Sequence, residues 1–278
     1  MRLSISNIAW DAAEDDTIAT LLRRFEIDAI DVAPGKYFPD PQKATAGDIV
    51  RVKNWWSERG IEIAGMQALL FGTTGLNVFG TMDAREAMLQ HLAAVCRIGA
   101  GLGARRLVFG SPRNRDRGEL SDHDVASVAV PFFRRLGDIA HAHDVMVCLE
   151  PNPTCYGANF MTTSAETARI VEQVAHSSIC MQLDTGALTI NGEDPVDVLQ
   201  QCASLIGHIH ASEPDLLPLG DGATDHGKMA AAVRQYLPDY VVAIEMLATK
   251  NEPHEQSIER ALAAADRHYR NNQVGGKL

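Results

Sequence analysis

Cysteine is scarce and unpatterned: five residues, Cys96, Cys148, Cys155, Cys180 and Cys202, an odd number with no close pairing. That excludes a disulfide framework and leaves reduced, packed thiols, with Cys148 and Cys180 falling in apolar runs. Basic charge is also in deficit. The 25 Lys and Arg against 36 Asp and Glu leave a net charge of −11, the opposite of the basic footprint that wraps a nucleic-acid backbone. No apolar run approaches the length of a membrane span. Residues 1–10, followed by Asp11, Glu14, Asp15 and Asp16, lack the basic-then-apolar order of a secretory leader, so a cytoplasmic protein is expected. The first strand-like run leads into Ser6, Asn7, Ile8, Ala9 and Trp10, not into a glycine-rich phosphate loop. This counts against an open, doubly wound nucleotide-binding sheet. Nor does any Pro/Gly/Ser-rich linker break the chain, which predicts one domain over residues 1–278.

What the chain does have is regular alternation. With 46% hydrophobic residues in 278, it can bury a large core. Short apolar runs near 2–9, 28–33, 61–69, 104–110, 145–150, 178–184, 205–211 and 239–246 read as strands. Amphipathic stretches near 12–25, 45–59, 83–101, 122–143, 164–176, 195–203, 226–236 and 254–270 read as helices between them. Strands that are apolar throughout are parallel strands covered on the outside. Thr163 with Glu166 reads as a capping box, Asp194 with Pro195 as N-cap and first helical residue, and Gly103 as a helix stop. Eight such units predict a closed (β/α)8 TIM barrel, whose active site lies at the carboxyl ends of the strands.

Four of the runs end in groups that apolar strands do not need. Glu150, Asp184, His210 and Glu245 follow the runs 145–149, 179–183, 205–209 and 240–244, at separations of 34, 26 and 35 residues, about one strand–helix unit each. Side chains at the same end of neighbouring parallel strands converge, and three carboxylates with one imidazole make a hard, oxygen-rich divalent metal site. One carboxylate at a strand end can simply cap a helix; three carboxylates and an imidazole on consecutive strands are better explained as ligands. Pro151 and Pro153 stiffen the exit behind Glu150, and Thr185–Gly186 reads as a sharp turn behind Asp184. His208 shares a strand face with His210 and is expected one layer deeper, packing there or backing the ligands and not binding the ion itself. His91, His123, His141, His143, His176, His254 and His268 fall on helices or helix ends, where solvated roles are the default. His226, beside the glycine-rich loop 219–225, is the exception and a candidate substrate contact.

The loop 110–117 carries Arg113, Arg115 and Arg117 at the catalytic face of an otherwise acidic chain. An arginine fork suits a carboxylate or phosphate on a ligand. Arg113 is expected to point inward first, then Arg115, with Lys36 a weaker candidate and Gln67, on the third run, a further substrate contact. Trp10, Tyr37, Phe71 and Tyr156 at other strand ends could wall a sugar pocket.

The combination Cys148–Leu149–Glu150–Pro151, Gln182–Leu183–Asp184–Thr185–Gly186, His208–Ile209–His210 and Ala243–Ile244–Glu245–Met246 resembles the xylose isomerase-like barrel superfamily. Within it, the chain is most similar to the sugar (phosphate) isomerase/epimerase branch, with its ketose 3-epimerases, hydroxypyruvate isomerases and inosose dehydratases. The resemblance runs over essentially the whole chain. It implies one divalent ion, Mn²⁺ first, with Mg²⁺, Co²⁺ or Zn²⁺ as alternatives, held by Glu150, Asp184, His210 and Glu245. Glu150 and Glu245 would double as an acid/base pair moving a proton next to a carbonyl through an enediolate. Epimerisation, isomerisation and dehydration share that step. The implied partner is a small sugar or sugar phosphate, with neither nucleic acid nor membrane, and self-association into a homo-oligomer is allowed.

One departure stands out: where the family often has a histidine three residues after the strand-6 aspartate, this chain has Ala187, which counts against ketose 3-epimerase specificity. Endonuclease IV-type enzymes of the same superfamily need further metal-binding histidines. Gln67, Gly110 and Ala187 stand at those places, so the nuclease reading is disfavoured. A catalytically silent sugar-binding protein on the same fold is the rival outside enzymology.

Overall fold

The computed structural model describes residues 1–270, so the last eight residues of the expected 1–278 domain lie outside the described residues. Eight parallel strands close into a single barrel in chain order. They are β1 (Arg2–Ser6), β2 (Ala29–Val32), β3 (Glu62–Met66), β4 (Arg106–Phe109), β5 (Met146–Leu149), β6 (Ile179–Asp184), β7 (Ile206–Ser212) and β8 (Val241–Glu245). Outside run α1 (Asp15–Arg24), α2 (Ala46–Ser57), α3 (Met82–Leu102), α4 (Asp122–Ala142), α5 (Ser164–Val174), α6 (Thr185–Asn191), α7 (Pro195–Cys202), α8 (His226–Tyr236) and α9 (His254–Ala265). The chain is one domain, and each strand falls within a run expected from the sequence or overlaps it closely. Among the described residues, no helix is long and apolar enough to cross a membrane.

The large core lies between the sheet and the helical ring, where the strands' outward residues meet the apolar faces of the helices. A smaller cluster of Val108, Cys148 and Cys180 is separate from it. The two thiols there are free and buried, with sulfurs 3.3 Å apart, as the composition led one to expect of packed cysteines.

The punctuation behaves chemically, with two differences. Gly103 ends α3 in the left-handed region at φ 93°, and Asp194 caps α7 through the amides of Val196 and Asp197. Thr163 does cap α5 by accepting from Glu166 N, but the Glu166 carboxylate accepts from Thr162 N and Oγ1, so the reciprocal half of the box is displaced by one residue. The turn expected at Thr185–Gly186 is instead the start of α6. The Asp184 carboxylate accepts from Ala187 N at 2.6 Å and so caps a helix. Gly186 permits the chain to hug β7, since a Cβ there would stand 2.7 Å from Ser212 Oγ.

Register then delivers the site. Asp184 pairs with His210 across β6–β7, and Ser212, two residues beyond His210, pairs with Glu245 across β7–β8, so the Asp184, His210 and Glu245 side chains come to the same end of the barrel.

Candidate metal centre

Glu150 stands one residue beyond β5, where its amide still donates to Phe109 O at 3.2 Å. Asn152 Nδ2 donates to its Oε2 at 3.1 Å, while Oε1 is buried with no hydrogen-bond partner. Room for this carboxylate comes from the neighbouring strand exit: a Cβ on Gly110 would lie 1.9 Å from Glu150 Oε2. Asp184 uses Oδ1 on Ala187 N and Oδ2 on Ser212 Oγ, the latter at 2.8 Å. Glu245, the last residue of β8, accepts from Gln67 Nε2 at 2.6 Å. His210 is fully buried, with Nδ1 3.2 Å from Glu245 Oε2 and 3.6 Å from Glu150 Oε1. One donor atom from each of the four lies within 4.8 Å of the others.

Behind His210 sits a residue the sequence reading passed over. Asp31, fully buried on β2, lies 2.6 Å from His208 Nε2 and 3.6 Å from His210 Nε2. Burial alone would raise its pKa, but the two imidazoles hold it well below the usual carboxylate range. His210 Nε2 makes no hydrogen bond, so Asp31 acts on that ring through its charge at 3.6 Å. The signal was present: a lone aspartate between Ile30 and Val32 is a buried charge that needs partners. His208 is thus the deeper residue that the strand spacing predicts, with an ionic partner added.

The electrostatics are those of an unneutralised acidic cluster. Burial, then the charges of Glu245 and Glu150, push Asp184 up to about 8. Burial alone would lower His210, but Glu245, Asp31 and Glu150 together raise it well above an ordinary imidazole. Among the described residues no lysine or arginine forms an ion pair with Glu150, Asp184 or Glu245. A divalent cation fits this donor set, because three hard oxygen ligands and one nitrogen converge and the buried Glu150 Oε1 makes no hydrogen bond.

The cluster forms the floor of a cavity of about 770 Å³ lined from the strand-end loops. The other expected contacts divide. Gln67 and Lys36 line this cavity, as do Phe71 and Tyr156. Lys36 reaches back to the carbonyls of Asn7, at 2.7 Å, and Trp10. Trp10 and Tyr37 turn away from it, their polar tips donating to Asp15 at 2.8 and 2.9 Å. Arg113 is exposed and outside the lining. Arg115, expected second, is the inward residue of the loop, yet it points under the wall: 1% exposed, it donates from Nη1 to the Glu150 carbonyl at 2.7 Å. His226 is buried away from the lining, holding Glu213 at 3.0 Å and Tyr269 Oη at 2.8 Å. Glu213, unremarked in the sequence, pins the 213–225 loop by accepting from Gly220 N and Thr224 N. His254, expected to be solvated, bridges Glu14 Oε2 at 2.6 Å and Thr249 O at 3.0 Å, tying the β1 and β8 loops together.

Solved structures with this architecture are numerous. The chain matches D-psicose 3-epimerase from Clostridium cellulolyticum H10 solved with D-tagatose, at 16% identity and TM-score 0.81 over 97% of this chain and 99% of that one. It matches 3-keto-D-glucoside 4-epimerase from E. coli at 17% identity and TM-score 0.77, over 95% and 98% of the two chains. The IolI protein with a bound zinc atom aligns at 17% identity and TM-score 0.76, over 97% and 98%. At these identities the likeness shows a shared fold. No curated protein sequence matches the chain. The model of one family, the xylose isomerase-like TIM barrel, matches residues 19–268, and the chain belongs to that family.

Proposed function

We propose that this protein is a divalent-metal-dependent isomerase or epimerase of an uncharged sugar, working by proton transfer next to a carbonyl. The observation that carries the reading is the convergence of Glu150, Asp184, His210 and Glu245 within 4.8 Å at the floor of a sugar-sized or larger cavity. Structural neighbours that act on ketoses and keto-glucosides support it. A bound Mn²⁺, or Mg²⁺, Co²⁺ or Zn²⁺ in its place, would supply Lewis-acid polarisation of the substrate carbonyl.

The chain's own residues do the rest. Glu150 and Glu245 are the acid/base pair, one taking the proton beside the carbonyl and the other returning it. Each carboxylate is held by an amide, Asn152 on Glu150 at 3.1 Å and Gln67 on Glu245 at 2.6 Å, so neither swings freely. Gln67 Oε1 is buried and unpartnered, which suits it to accept from a substrate hydroxyl. Asp31 sets a carboxylate 3.6 Å behind the His210 ring.

An uncharged substrate follows from where the cations are. Lys36 is the one cationic side chain of the lining, and it already serves two backbone carbonyls. Glu150, Asp184, Glu213, Asp215 and Glu245 give the same lining five carboxylates. A phosphate would meet repulsion there without the arginine fork that the sequence suggested.

The test is solvent-proton exchange into fructose and keto-glucoses in D₂O with Mn²⁺. Glu150→Gln and Glu245→Gln are each expected to slow exchange by about 10²–10⁴-fold while melting as the wild type does. Near-wild-type exchange in either variant refutes its role as proton carrier.

A further inference from the structure

Resting on that reading, we infer that the sugar carries an apolar substituent, so that the site takes a keto sugar in the form of an aryl or alkyl glycoside. At the floor Gln67 and Asn152 hold the glutamates, and Lys36, Ser111, Glu213 and the exposed Asp215 are further polar side chains of the lining. Much of the rest of the lining is apolar. Ala187 follows the strand-6 aspartate, Leu216 stands on the β7 loop, and Phe71, Tyr156 and Leu247 come from the β3, β5 and β8 loops. A free sugar with hydroxyls on every carbon would leave those hydroxyls facing carbon.

The rim is also exposed. Phe71 is 85% exposed, Leu247 51% and Tyr156 38%. Single exposed apolar residues are ordinary, but three around one cavity mouth mark a surface that something apolar covers. The cavity, at about 770 Å³, falls in the range that takes drug-sized ligands, more than one monosaccharide fills.

The rim is built, not loose. Tyr156 Oη accepts from Asp215 N at 2.7 Å, and the Leu216 carbonyl accepts from Leu247 N at 2.9 Å, linking the β5, β7 and β8 loops. Asp215 and Leu216 both hold left-handed backbone, at φ 60° and 52°, and Ala68 does so at φ 52° just before Phe71. Non-glycine residues adopt that region at a cost that recurs at ligand-binding sites. Leu216, with this backbone, lines the cavity, and the turn carrying Phe71 is closed by Phe71 N donating to Ala68 O at 3.0 Å.

The experiment compares the methyl and the phenyl glycoside of one keto-glucose, with fructose as the probe lacking a tail, on the full chain loaded with Mn²⁺. Calorimetry gives Kd, and D₂O exchange is followed on the same samples. The phenyl glycoside is expected to bind at least about tenfold tighter than the methyl one, from burial of one ring. Phe71→Ala, and independently Leu247→Ala, should shrink that ratio to about threefold or less. Phe71 is 85% exposed, so folding survives its loss. Equal binding of the two glycosides by the wild type, or binding of fructose alone, overturns the inference. So does a ratio that persists in the doubly substituted rim. A Phe71→Ala variant that loses self-association while keeping the ratio assigns Phe71 to contacts between copies and also overturns it. Phenyl preference without proton exchange would sink the isomerase reading and leave the apolar subsite standing. Exchange without preference does the reverse.

Discussion

Gly110→Ala separates folding from site geometry. The glycine ends β4 beside Glu150, and a Cβ built on it falls 1.9 Å from Glu150 Oε2, with Cδ at 3.0 Å and Cβ at 3.7 Å. Its φ lies outside the left-handed region, so alanine is tolerated by the backbone. The clash is with the far end of a flexible side chain, and the carboxylate must retreat by roughly 1.5 Å to reach ordinary contact distance. The Asn152 hydrogen bond at 3.1 Å is strained by the same movement. Overpacking of this kind costs about 1–3 kcal/mol, a tolerable loss for a barrel of this size. Metal–oxygen bonds accept deviations of only about 0.2 Å, and misplacing a reacting group by about 1 Å can cost on the order of 10²-fold in rate. The expected outcome is a folded protein whose Mn²⁺ affinity, titrated after chelation, falls at least tenfold, with a comparable or larger loss of proton exchange. Metal affinity within twofold of wild type, together with unchanged exchange, would show that the Glu150 carboxylate does not belong to the centre.

Three further outcomes follow from the same geometry. Asp31→Asn removes the charge between His208 and His210, so metal affinity should drop about 10–100-fold by titration, while urea melts register the uncompensated imidazoles as a loss of about 3–5 kcal/mol. Burial and the charges of Glu245 and Glu150 raise Asp184 to about 8, so the folded, metal-free protein keeps a proton that the unfolded chain releases near the ordinary value of 3.8. Its contribution to stability is present below that value and is lost as pH climbs toward 8. Urea melts in chelator should therefore weaken from pH 6 to pH 8.5 by at least about 1.4 kcal/mol, and saturating Mn²⁺ should remove the fall. Arg113→Ala should alter binding of a sugar phosphate and of its neutral analogue equally, because Arg113 is exposed outside the lining; a selective loss on the phosphate would return the loop to an anion-reading role.

The barrel and its four convergent groups were legible because both depend on period. Apolar runs repeat at the length of a strand–helix unit, and parallel strands carry their last residues to one edge whatever the loops do. Residues off that period were not legible in the same way. Asp31 lies mid-strand and acts through a partner 177 positions away, a pairing that only barrel closure creates. Helix α6 is seven residues long and begins inside what reads as a turn, because Asp184 Oδ1 on Ala187 N outweighs the glycine that follows. The arginine loop misled for a related reason. Charge density along 110–117 is visible in the sequence, whereas the direction of each side chain depends on which one the wall has room to bury, and that is Arg115.

Arg115 also shows how the centre is kept open for a cation. It is the nearest buried guanidinium to Glu150, and a chain selected only for stability would set such a group against the carboxylate as a fork. Its Nη1 goes instead to the Glu150 backbone carbonyl at 2.7 Å, while Nε and Nη2 are buried without partners. Burial pushes the guanidinium down to about 10 even though the Glu150 and Glu166 charges oppose that shift. The arginine thus fixes where the strand exit runs without neutralising the side chain that leaves it. On the other side, Asp31 stands 2.6 Å from His208 and 3.6 Å from His210, so His210 is shared between Asp31 and the carboxylates of the floor. Both arrangements leave the Glu150, Asp184 and Glu245 side chains without a lysine or arginine partner among the described residues, so that their oxygens stay open to a divalent ion.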